Sequence, residues 1–438
     1  MKSLKLLSRG LTLAVVLALM LTACGSGNAN GVQNTLDPNK KVKLTFSWWG
    51  DKTRHDKTME AIKAWNSKHP DIQVEGLYQG WDGYSAKLTT QFAANVAPDI
   101  MQVSLNDLQQ YAKDDLLLDL TKYKSTDFAG IDENQWPGLT YNGKVAAVSS
   151  GITGGASVYN KTLTDKYNLA PFTETDTGDT VLEKYKKAVL DTNGDGKIDL
   201  WACFDCMDSD PKLYNKMIEP FGLSVWTPDM KGCKFTDPAV ISKLKIMERA
   251  RKAKVIVPPD VTLMDGQSYM GAGYIVYDGT GLSMFSALAS STKDELVLGM
   301  PILPPAGGID IRSCDVGLPI AINGKCKNPD AAVKFLSWFL TDPEAAKITG
   351  MVRGVFPSKA QRDAVKDSLS KVDKSIVEVC SKIQALGHPI SDTATPNNYS
   401  QFLDIFTQEK NRYLLDQINL EQFMQNIQTA GNPVLAGD

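Results

Sequence analysis

The order of apolar and polar residues in the first part of the chain predicts strands and helices in alternation. Residues 42–48 alternate as a half-buried strand does, and residues 53–68 carry Met59, Ile62 and Trp65 at helical spacing. The pattern then predicts a second strand, a second helix and a third short strand, at residues 72–77, 82–96 and 100–103. Such alternation is typical of an α/β fold, in which helices cover both faces of a mostly parallel sheet.

The second half of the chain continues this pattern. Helical periodicity predicts further helices at residues 238–254, 329–340, 343–349 and 401–429. Residues 316–322 alternate as another strand. In sheets of this class, ligands bind beyond the carboxyl ends of the strands. We therefore expect site residues in the loops that follow the strands.

The first 24 residues have the pattern of an export signal. Residues 1–23 begin with basic residues and continue with an uncharged apolar run that is too short to span a bilayer. Leu-Thr-Ala-Cys24 at its end resembles the lipobox of bacterial lipoproteins, which implies removal of the signal peptide and diacylation of Cys24. Two acyl chains give stable attachment to a membrane. The alternative is a secretory signal with a chance cysteine. Residues 24–41 are rich in Gly, Asn and Ser and predict a flexible tether.

The size and charge of the chain limit the functions it can have. About 395 residues follow the tether, which is too many for one ordinary core and predicts two lobes. The net charge is -3, with both signs mixed throughout, so we expect no nucleic-acid partner. No later apolar run approaches the length of a membrane span, so we expect the lipid alone to attach the protein to a membrane.

Six cysteines follow Cys24, namely Cys203, Cys206, Cys233, Cys314, Cys326 and Cys380. An even number in an exported protein allows three disulfides, with a pairing that sequence leaves open. The spacing of Cys203 and Cys206 also fits a redox or zinc pair. Zinc would need a second pair of ligands, and the three histidines of the chain are not near another cysteine. We therefore favour a structural disulfide or free thiols.

Several short segments carry a resemblance in their order and spacing. They are residues 45–55, 69–72, 80–84, 87–91, 98–102, 158–161, 328–336 and 341–344. Together they resemble the carbohydrate-binding lipoproteins of ABC importers. The resemblance implies a monomer of the periplasmic-binding-protein type, anchored at the outer face of the cell membrane. Its partners would be an oligosaccharide, the permease subunits of the importer and the associated ATPase.

The same resemblance implies two α/β lobes that close over a sugar, joined by a three-segment hinge. We expect the crossings near residues 149–155, 314–318 and 350–357, with glycines at the first that allow backbone torsions to change. The amino lobe would then comprise residues 42–150 and 318–353. The carboxy lobe would comprise residues 151–317 and 354–438.

A sugar-binding site needs aromatic rings for the CH faces of the sugar and planar polar groups for its hydroxyls. Candidates in the first lobe follow strands: Trp49, Asp51, Arg54, Trp81, Asp82 and Tyr84. The resemblance adds Gln102, in the third strand, and Asp278, and Trp226 and Arg353 are further candidates. The ordinary alternatives are core packing for the tryptophans, a helix cap for Asp82 and a solvated surface for the arginines.

The arginines suggest a more specific ligand. Arg54, Arg312 and Arg353 would suit carboxylates, because guanidinium is a planar fork that matches them. Residues 47–55 and 80–84 are also similar to the oligogalacturonide-binding members of the family. This similarity implies an acidic, uronate-containing oligosaccharide.

Residues 191–199 have the spacing of an EF-hand calcium loop. Oxygen ligands stand at loop positions 1, 3, 5 and 9, with a backbone carbonyl at position 7 and glycine at position 6. The ligands would be Asp191, Asn193, Asp195, Lys197 and Asp199. Ala202 replaces the glutamate of position 12, so we expect weak structural binding of Ca²⁺. The alternative is an Asp/Asn/Gly turn.

Two other functions fit part of the sequence. A secreted polysaccharide-degrading enzyme would need a pair of carboxylates at a fixed separation, which sequence alone does not exclude. No Gly-x-Ser-x-Gly, His-Glu-x-x-His or Walker A motif occurs. A calcium-dependent glycan adhesin would explain the lipid and the loop but not the two-lobe pattern. We therefore expect a receptor that is not an enzyme.

Overall fold

The computed structural model describes residues 41–204, 211–258, 260–264, 267–388, 396 and 398–437, with residue 106 described by its backbone alone. The predicted signal peptide, Cys24 and nearly all of the tether lie outside these residues, as does Cys206. Within them, no helix has the length and apolar character needed to cross a membrane.

The secondary-structure elements are numbered here in chain order. The strands β1 to β11 are Val42–Trp49, Ile72–Gln79, Ile100–Gln102, Thr140–Tyr141, Lys144–Val145, Gly151–Thr153, Gly155–Asn160, Tyr277–Gly281, Leu296–Gly299, Asp315–Gly317 and Ile320–Ile322. The helices α1 to α14 are Lys52–Lys68, Tyr84–Ala93, Leu105–Lys113, Lys161–Tyr167, Gly178–Lys187, Pro211–Ile218, Pro238–Lys252, Phe285–Ser290, Pro329–Thr341, Pro343–Thr349, Lys359–Val365, Lys371–Ala385, Tyr399–Leu414 and Leu420–Ala436.

The amino lobe is built on a four-stranded sheet of order β11-β3-β1-β2. Strands β2 and β3 run parallel to β1, whereas β11 is antiparallel to β3 at one edge. Phe46 of β1 packs its ring against Phe335 and Phe339 of α9, at 6.0 and 5.7 Å between ring centroids. The parallel centre follows from the alternation in sequence, because α1 and α2 return the chain between successive strands.

The sheet of the carboxy lobe differs from the predicted parallel arrangement. Strand β7 lies between β8 and β9 and is antiparallel to both. Strands β8 and β9 therefore run in the same direction, and α8 connects them. Strand β7 follows the first hinge segment and lies between β8 and β9. Both pairings in this sheet are therefore antiparallel.

Three segments that connect the lobes lie side by side. Strand β6 pairs with β10, and Ile152 exchanges backbone hydrogen bonds with Val355 on its other side. The backbones approach so closely that a Cβ at Gly151 would lie 1.8 Å from the carbonyl oxygen of Arg353. Gly354, at φ +106°, adopts a torsion that other residues rarely reach. The fold is thus two α/β lobes joined by a three-segment hinge, with glycine required where the segments touch.

The chain stays with the amino lobe longer than the predicted division at residue 354 allows. Helix α11 packs on α9 and α10, and Gln361 donates to the carbonyl oxygens of Phe339 and Asp342. Arg362 forms a bidentate ion pair with Asp132 of the same lobe. The chain rejoins the carboxy lobe at α12, which packs against α8 and β9.

Two elements predicted as continuous are interrupted. The helix predicted over residues 401–429 is two helices, α13 and α14, because Asp416 takes φ +58° and Asn419 caps a new helix with Gln422 in a capping box. The strand predicted over 316–322 is divided between β10 of the hinge and β11 of the amino sheet. Leu318, at φ +44°, makes the bend between them.

Candidate ligand-binding site

The carboxyl end of β1 brings an aromatic ring and a guanidinium together. Trp49 is 9% exposed and ends the strand, and Asp51 caps α1 by accepting from the backbone N–H of Arg54 at 2.8 Å. This cap starts the helix so that the Arg54 side chain turns back over the strand end. Its Nη1 donates to the carbonyl oxygen of Trp49 at 3.3 Å, and its Nε donates to that of Val352 in the hinge at 2.9 Å.

The loop after β2 adds two more aromatic rings. Trp81 meets Trp49 edge to face at 5.0 Å between ring centroids, and Tyr84 lies 5.1 Å from Trp49. Trp81 is 52% exposed, so its face is open to solvent, whereas Tyr84 is buried. Asp82 is exposed beside Trp81. It does not cap α2, because the N-cap is Gly83 in the left-handed conformation, with no side-chain hydrogen bond.

Gln102, at the end of β3, links these residues to the hinge. Its Nε2 donates to the carbonyl oxygen of Trp49 at 3.3 Å, and its backbone carbonyl oxygen accepts from the Tyr84 hydroxyl at 2.9 Å. Its Oε1 accepts from Nε of Arg353 at 3.3 Å. Burial raises the pKa of Tyr84, which keeps this hydroxyl a donor. Trp49, Arg54, Trp81, Tyr84 and Gln102 are named here the strand-end cluster.

Arg353 is buried behind this cluster rather than open to a ligand. Its Nη2 donates to the hydroxyl of Thr58 in α1 at 3.0 Å, and its guanidinium lies 5.3 Å from the ring centroid of Phe339. Burial lowers its pKa to about 9, and the neighbouring charge of Arg54 acts in the same direction. The side chain remains protonated at neutral pH and ties the third hinge segment to the amino lobe. The structure thus gives Arg353 a positioning role in place of the predicted contact with ligand.

Arg54 is the guanidinium that remains accessible. It is half-buried, and burial lowers its pKa. Its described hydrogen bonds go to neutral carbonyl oxygens, and it forms no ion pair with a carboxylate in the described part of the chain. A partly desolvated cation without a paired anion favours an anionic ligand group.

Two predicted residues lie away from the strand-end cluster. Trp226 is 5% exposed and belongs to a core of the carboxy lobe, where it packs edge to face on Phe235 and Phe402. Asp278 lies on β8 opposite Val158, and its Oδ1 accepts from the backbone N–H of Gly279 at 2.9 Å. The structure therefore assigns Trp226 to packing, and Asp278 stays a prediction.

A cavity of 360 Å³ lies in the carboxy lobe beside the first two hinge segments. Hinge residues Gly155 and Asp315 line it together with side chains of α6 and α7 and the proline-rich residues 301–305. Lys216 of α6 approaches Asp315 at 3.6 Å. The third arginine considered above, Arg312, also lines it but is held by Asp310 in a bidentate ion pair, which lowers the pKa of that carboxyl. Its charge is therefore already compensated.

Apart from Arg312, sequence reasoning named none of the residues of this cavity as a ligand contact. They come from segments far apart in the chain, around residues 213–220, 243–246 and 301–315. The cluster of Pro301, Pro304 and Pro305 was the one local signal, since it marks an irregular segment. Thr58, which holds Arg353, was also missed because a threonine inside a helix has no distinctive pattern.

The predicted calcium loop is a set of tight turns on the surface. Both carboxylate oxygens of Asp191 accept from backbone N–H groups, those of Gly194 and Gly196, each at 2.7 Å. Both oxygens of Asp199 accept from Thr192. No group of three acidic, histidine or cysteine side chains that would hold a metal ion occurs in the described residues. The loop's own hydrogen bonds account for its conformation, and calcium binding stays a prediction.

Comparison with known proteins gives the family. The model of the family "Bacterial extracellular solute-binding protein" matches residues 50–346. A Streptomyces antibioticus protein described as an uncharacterized lipoprotein in the oleD 5' region is 31% identical over 144 residues. That alignment spans 32% of this chain and 30% of the relative.

Solved structures with the same fold cover nearly the whole chain. A family 1 extracellular solute-binding protein from Alicyclobacillus acidocaldarius is 22% identical with a TM-score of 0.74, over 91% of this chain and 100% of that one. An oligogalacturonide-binding protein from Yersinia enterocolitica, with saturated digalacturonic acid, is 21% identical with a TM-score of 0.71, over 90% and 99%. A cyclic alpha-maltosyl-1,6-maltose binding protein from Arthrobacter globiformis is 20% identical with a TM-score of 0.69, over 91% and 100%. The chain belongs to the bacterial extracellular solute-binding proteins.

Proposed function

We propose that this protein is the receptor of an ABC importer and that it captures an acidic, uronate-containing oligosaccharide. One observation carries the proposal: Trp81, which is half exposed, and the guanidinium of Arg54, which forms no salt bridge with the described carboxylates, both contact Trp49 at the end of β1. An open aromatic face suits the CH face of a sugar ring, and a guanidinium suits its carboxylate. The solved structures include a binder of digalacturonic acid, which supports this ligand class.

Contacts with the third hinge segment would couple ligand binding to closure of the lobes. Arg54 donates to Val352 of the third hinge segment, and Gln102 accepts from Arg353 of the same segment. A ligand that engages Arg54 in the closed form more strongly than in the open form shifts the protein towards closure. The closed receptor would then deliver the ligand to the permease, with no bond made or broken. Anchoring through Cys24 would raise the concentration of receptor near the permease.

Titration calorimetry tests whether the protein binds an oligosaccharide and whether that oligosaccharide contains uronate. We expect the lipid-free, signal-less protein to bind digalacturonate or trigalacturonate one to one, at least tenfold more tightly than neutral maltotriose. Tight binding of neutral oligosaccharides with inert uronates would end the uronate proposal and leave the sugar receptor intact. Cleavage of the ligand would support an enzyme instead, and attachment only to whole polysaccharide would support an adhesin.

A charge-removing pair of variants assigns the carboxylate contact. We expect Arg54→Gln to weaken uronate binding by about tenfold or more, because a charge-assisted contact in a partly desolvated site is worth more than about 1.4 kcal/mol. Lys52→Gln is the matched control, since its exposed side chain on the same helix pairs with Asp56. Equal losses in both variants would indicate a general effect of charge and contradict the assignment.

A further inference from the structure

Two cysteine thiols meet at the point where the chain leaves the carboxy lobe for the second hinge segment. Cys314 directly precedes β10, and Cys380 lies in α12. Their sulfur atoms are 3.7 Å apart, and both residues are buried, at 5% and 0% exposure. Both belong to an apolar core that includes Val355, Ile376 and Ile383.

From this juxtaposition we propose that Cys314 and Cys380 are joined by a disulfide in the exported protein. The thiols need to approach by less than about 2 Å to reach bonding distance. In the described residues Cys314 donates only to the sulfur and the carbonyl oxygen of Cys380, and Cys380 has one further weak contact, to Oε1 of Gln384 at 3.8 Å. Proteins exported from the cell meet conditions in which disulfides form and persist.

Cys233 and Cys326 have different surroundings. The thiol of Cys233 donates to Oδ1 of Asn432 at 3.3 Å, and Cys326 lies beside the core of the amino lobe. Of the described cysteines, only Cys314 and Cys380 have their thiols in contact with each other. The structure thus selects one pairing from those that an even number of cysteines allows.

The reaction needs an oxidant of the disulfide class. A thiolate of the pair attacks the disulfide of a dithiol–disulfide oxidoreductase and forms a mixed disulfide, which the second thiolate resolves. The Sγ–Sγ bond forms, two thiol protons pass to solvent, and the oxidoreductase leaves with both of its cysteines reduced. The mutual hydrogen bond and burial raise the pKa of Cys314 in the folded protein. Exchange is therefore slow once the core is packed, and the bond forms as the chain folds.

The disulfide closes a loop of residues 315–379, which contains the second segment of the chain that passes through the amino lobe. Residues 315–379 leave the carboxy lobe by β10, form β11, α9 and α10, pass through the third hinge segment, form α11 on the amino lobe, and reach the carboxy lobe again at α12. Both ends of this loop are joined inside the carboxy lobe, so the bond does not bridge the two lobes. It stabilises the fold without restricting closure of the hinge.

Mass mapping of the exported protein tests the pairing. The full-length protein is isolated from the cell surface, alkylated under denaturing conditions without reductant, and digested. We expect a linked peptide pair containing Cys314 and Cys380, and alkylation of both only after treatment with dithiothreitol. Free alkylation of both residues before reduction would overturn the proposal, as would linkage of either one to a different cysteine.

Thermal unfolding with and without reductant provides the second measurement. We expect dithiothreitol to lower the Tm of the wild-type protein by about 5 °C or more, because it releases a loop of about 65 residues. The Cys326→Ala control should show the same fall, whereas the Cys314→Ala/Cys380→Ala variant should lose at least most of it. An undiminished fall in the double variant would contradict the proposal, and ligand affinity should be the same in both redox states.

Discussion

Two aromatic regions of this protein have opposite surroundings. The strand-end cluster places Trp81 half in solvent beside a guanidinium and the end of a parallel sheet. The helical aromatic core of the carboxy lobe seals Trp226 among other apolar rings, which are those of Tyr214, Phe235, Phe402, Phe406, Tyr413 and Phe423. The comparison teaches that a tryptophan indicates a binding surface only where its ring is open and polar groups converge on it.

Replacing the buried tryptophan should produce the largest effect. We expect Trp226→Ala to lower the free energy of unfolding by about 3–5 kcal/mol, because it leaves a cavity in a close-packed core. The fraction that folds should bind ligand with wild-type affinity. Urea unfolding followed by circular dichroism, together with calorimetry on the folded protein, measures both quantities. A loss of affinity in a variant of unchanged stability would place Trp226 at the ligand and erase the distinction between the two regions.

Replacing Trp81, whose ring is exposed, should weaken ligand binding and leave stability nearly unchanged. We expect Trp81→Ala to weaken oligosaccharide binding by about 10–100-fold, through the loss of a stacking face, and to leave the free energy of unfolding within about 0.5 kcal/mol. Tyr78→Ala is the matched control, since Tyr78 is 53% exposed on the neighbouring strand but stacks on His55 instead of Trp49. If both variants bind ligand normally, the strand-end cluster is not the binding surface.

The residues of the strand-end cluster were predictable because each lies close in sequence to the end of a strand. Alternation and helix spacing located β1, α1 and α10 nearly to the residue, and the loops between them followed. Trp226 carried no such signal, because much of its surroundings, including Phe402, comes from α13 and α14, almost 200 residues later in the chain. Local pattern therefore predicted the part of the candidate site that local structure builds.

The remainder depended on contacts between distant segments. Arg353 was predicted at the third crossing, but its burial follows from Thr58 and Phe339, which the sequence does not connect with it. The carboxy-lobe cavity and the break between α13 and α14 likewise rest on tertiary packing and on one residue, Asp416, at positive φ. The calcium loop shows the opposite case, because local spacing alone predicted its ligands, except at position 12, while their role stays a prediction.

The predicted calcium loop is a third region, where a bound ion rather than packing would stabilise the structure. Removal of calcium tests this prediction. For a site of dissociation constant near 10⁻⁴ to 10⁻³ M, about 1 mM Ca²⁺ contributes only about 0.4–1.4 kcal/mol. We therefore expect a chelator to lower the Tm by about 0.5–2 °C and the Asp191→Asn variant to lose this response. An unchanged Tm would withdraw the calcium prediction and leave an ordinary surface turn.

Mild acid should distinguish the helical aromatic core from the aromatic residues of the amino lobe that lie outside the strand-end cluster, by the smallest effect. Histidine is absent from the helical aromatic core, whereas His55 accepts from Nε1 of Trp48 at 3.1 Å and stacks on Tyr78. Burial lowers the pKa of His55 below its usual 6.5. The unfolded chain therefore binds the proton more readily, so stability is complete above about pH 6.5 and decreases as the pH falls through that value.

The measurement is the urea midpoint between pH 7.5 and 5.5, in wild-type protein and in His55→Asn. His69 contributes in the same direction, because burial also lowers its pKa and its ring stacks on Trp65 at 3.7 Å. We expect the acid-dependent fall to be smaller in His55→Asn and smaller again when His69→Asn is added. The Trp226→Ala variant should keep the full fall, because the region it disrupts contains no histidine. An acid response that survives both histidine replacements would show that the amino-lobe aromatic residues are not its source.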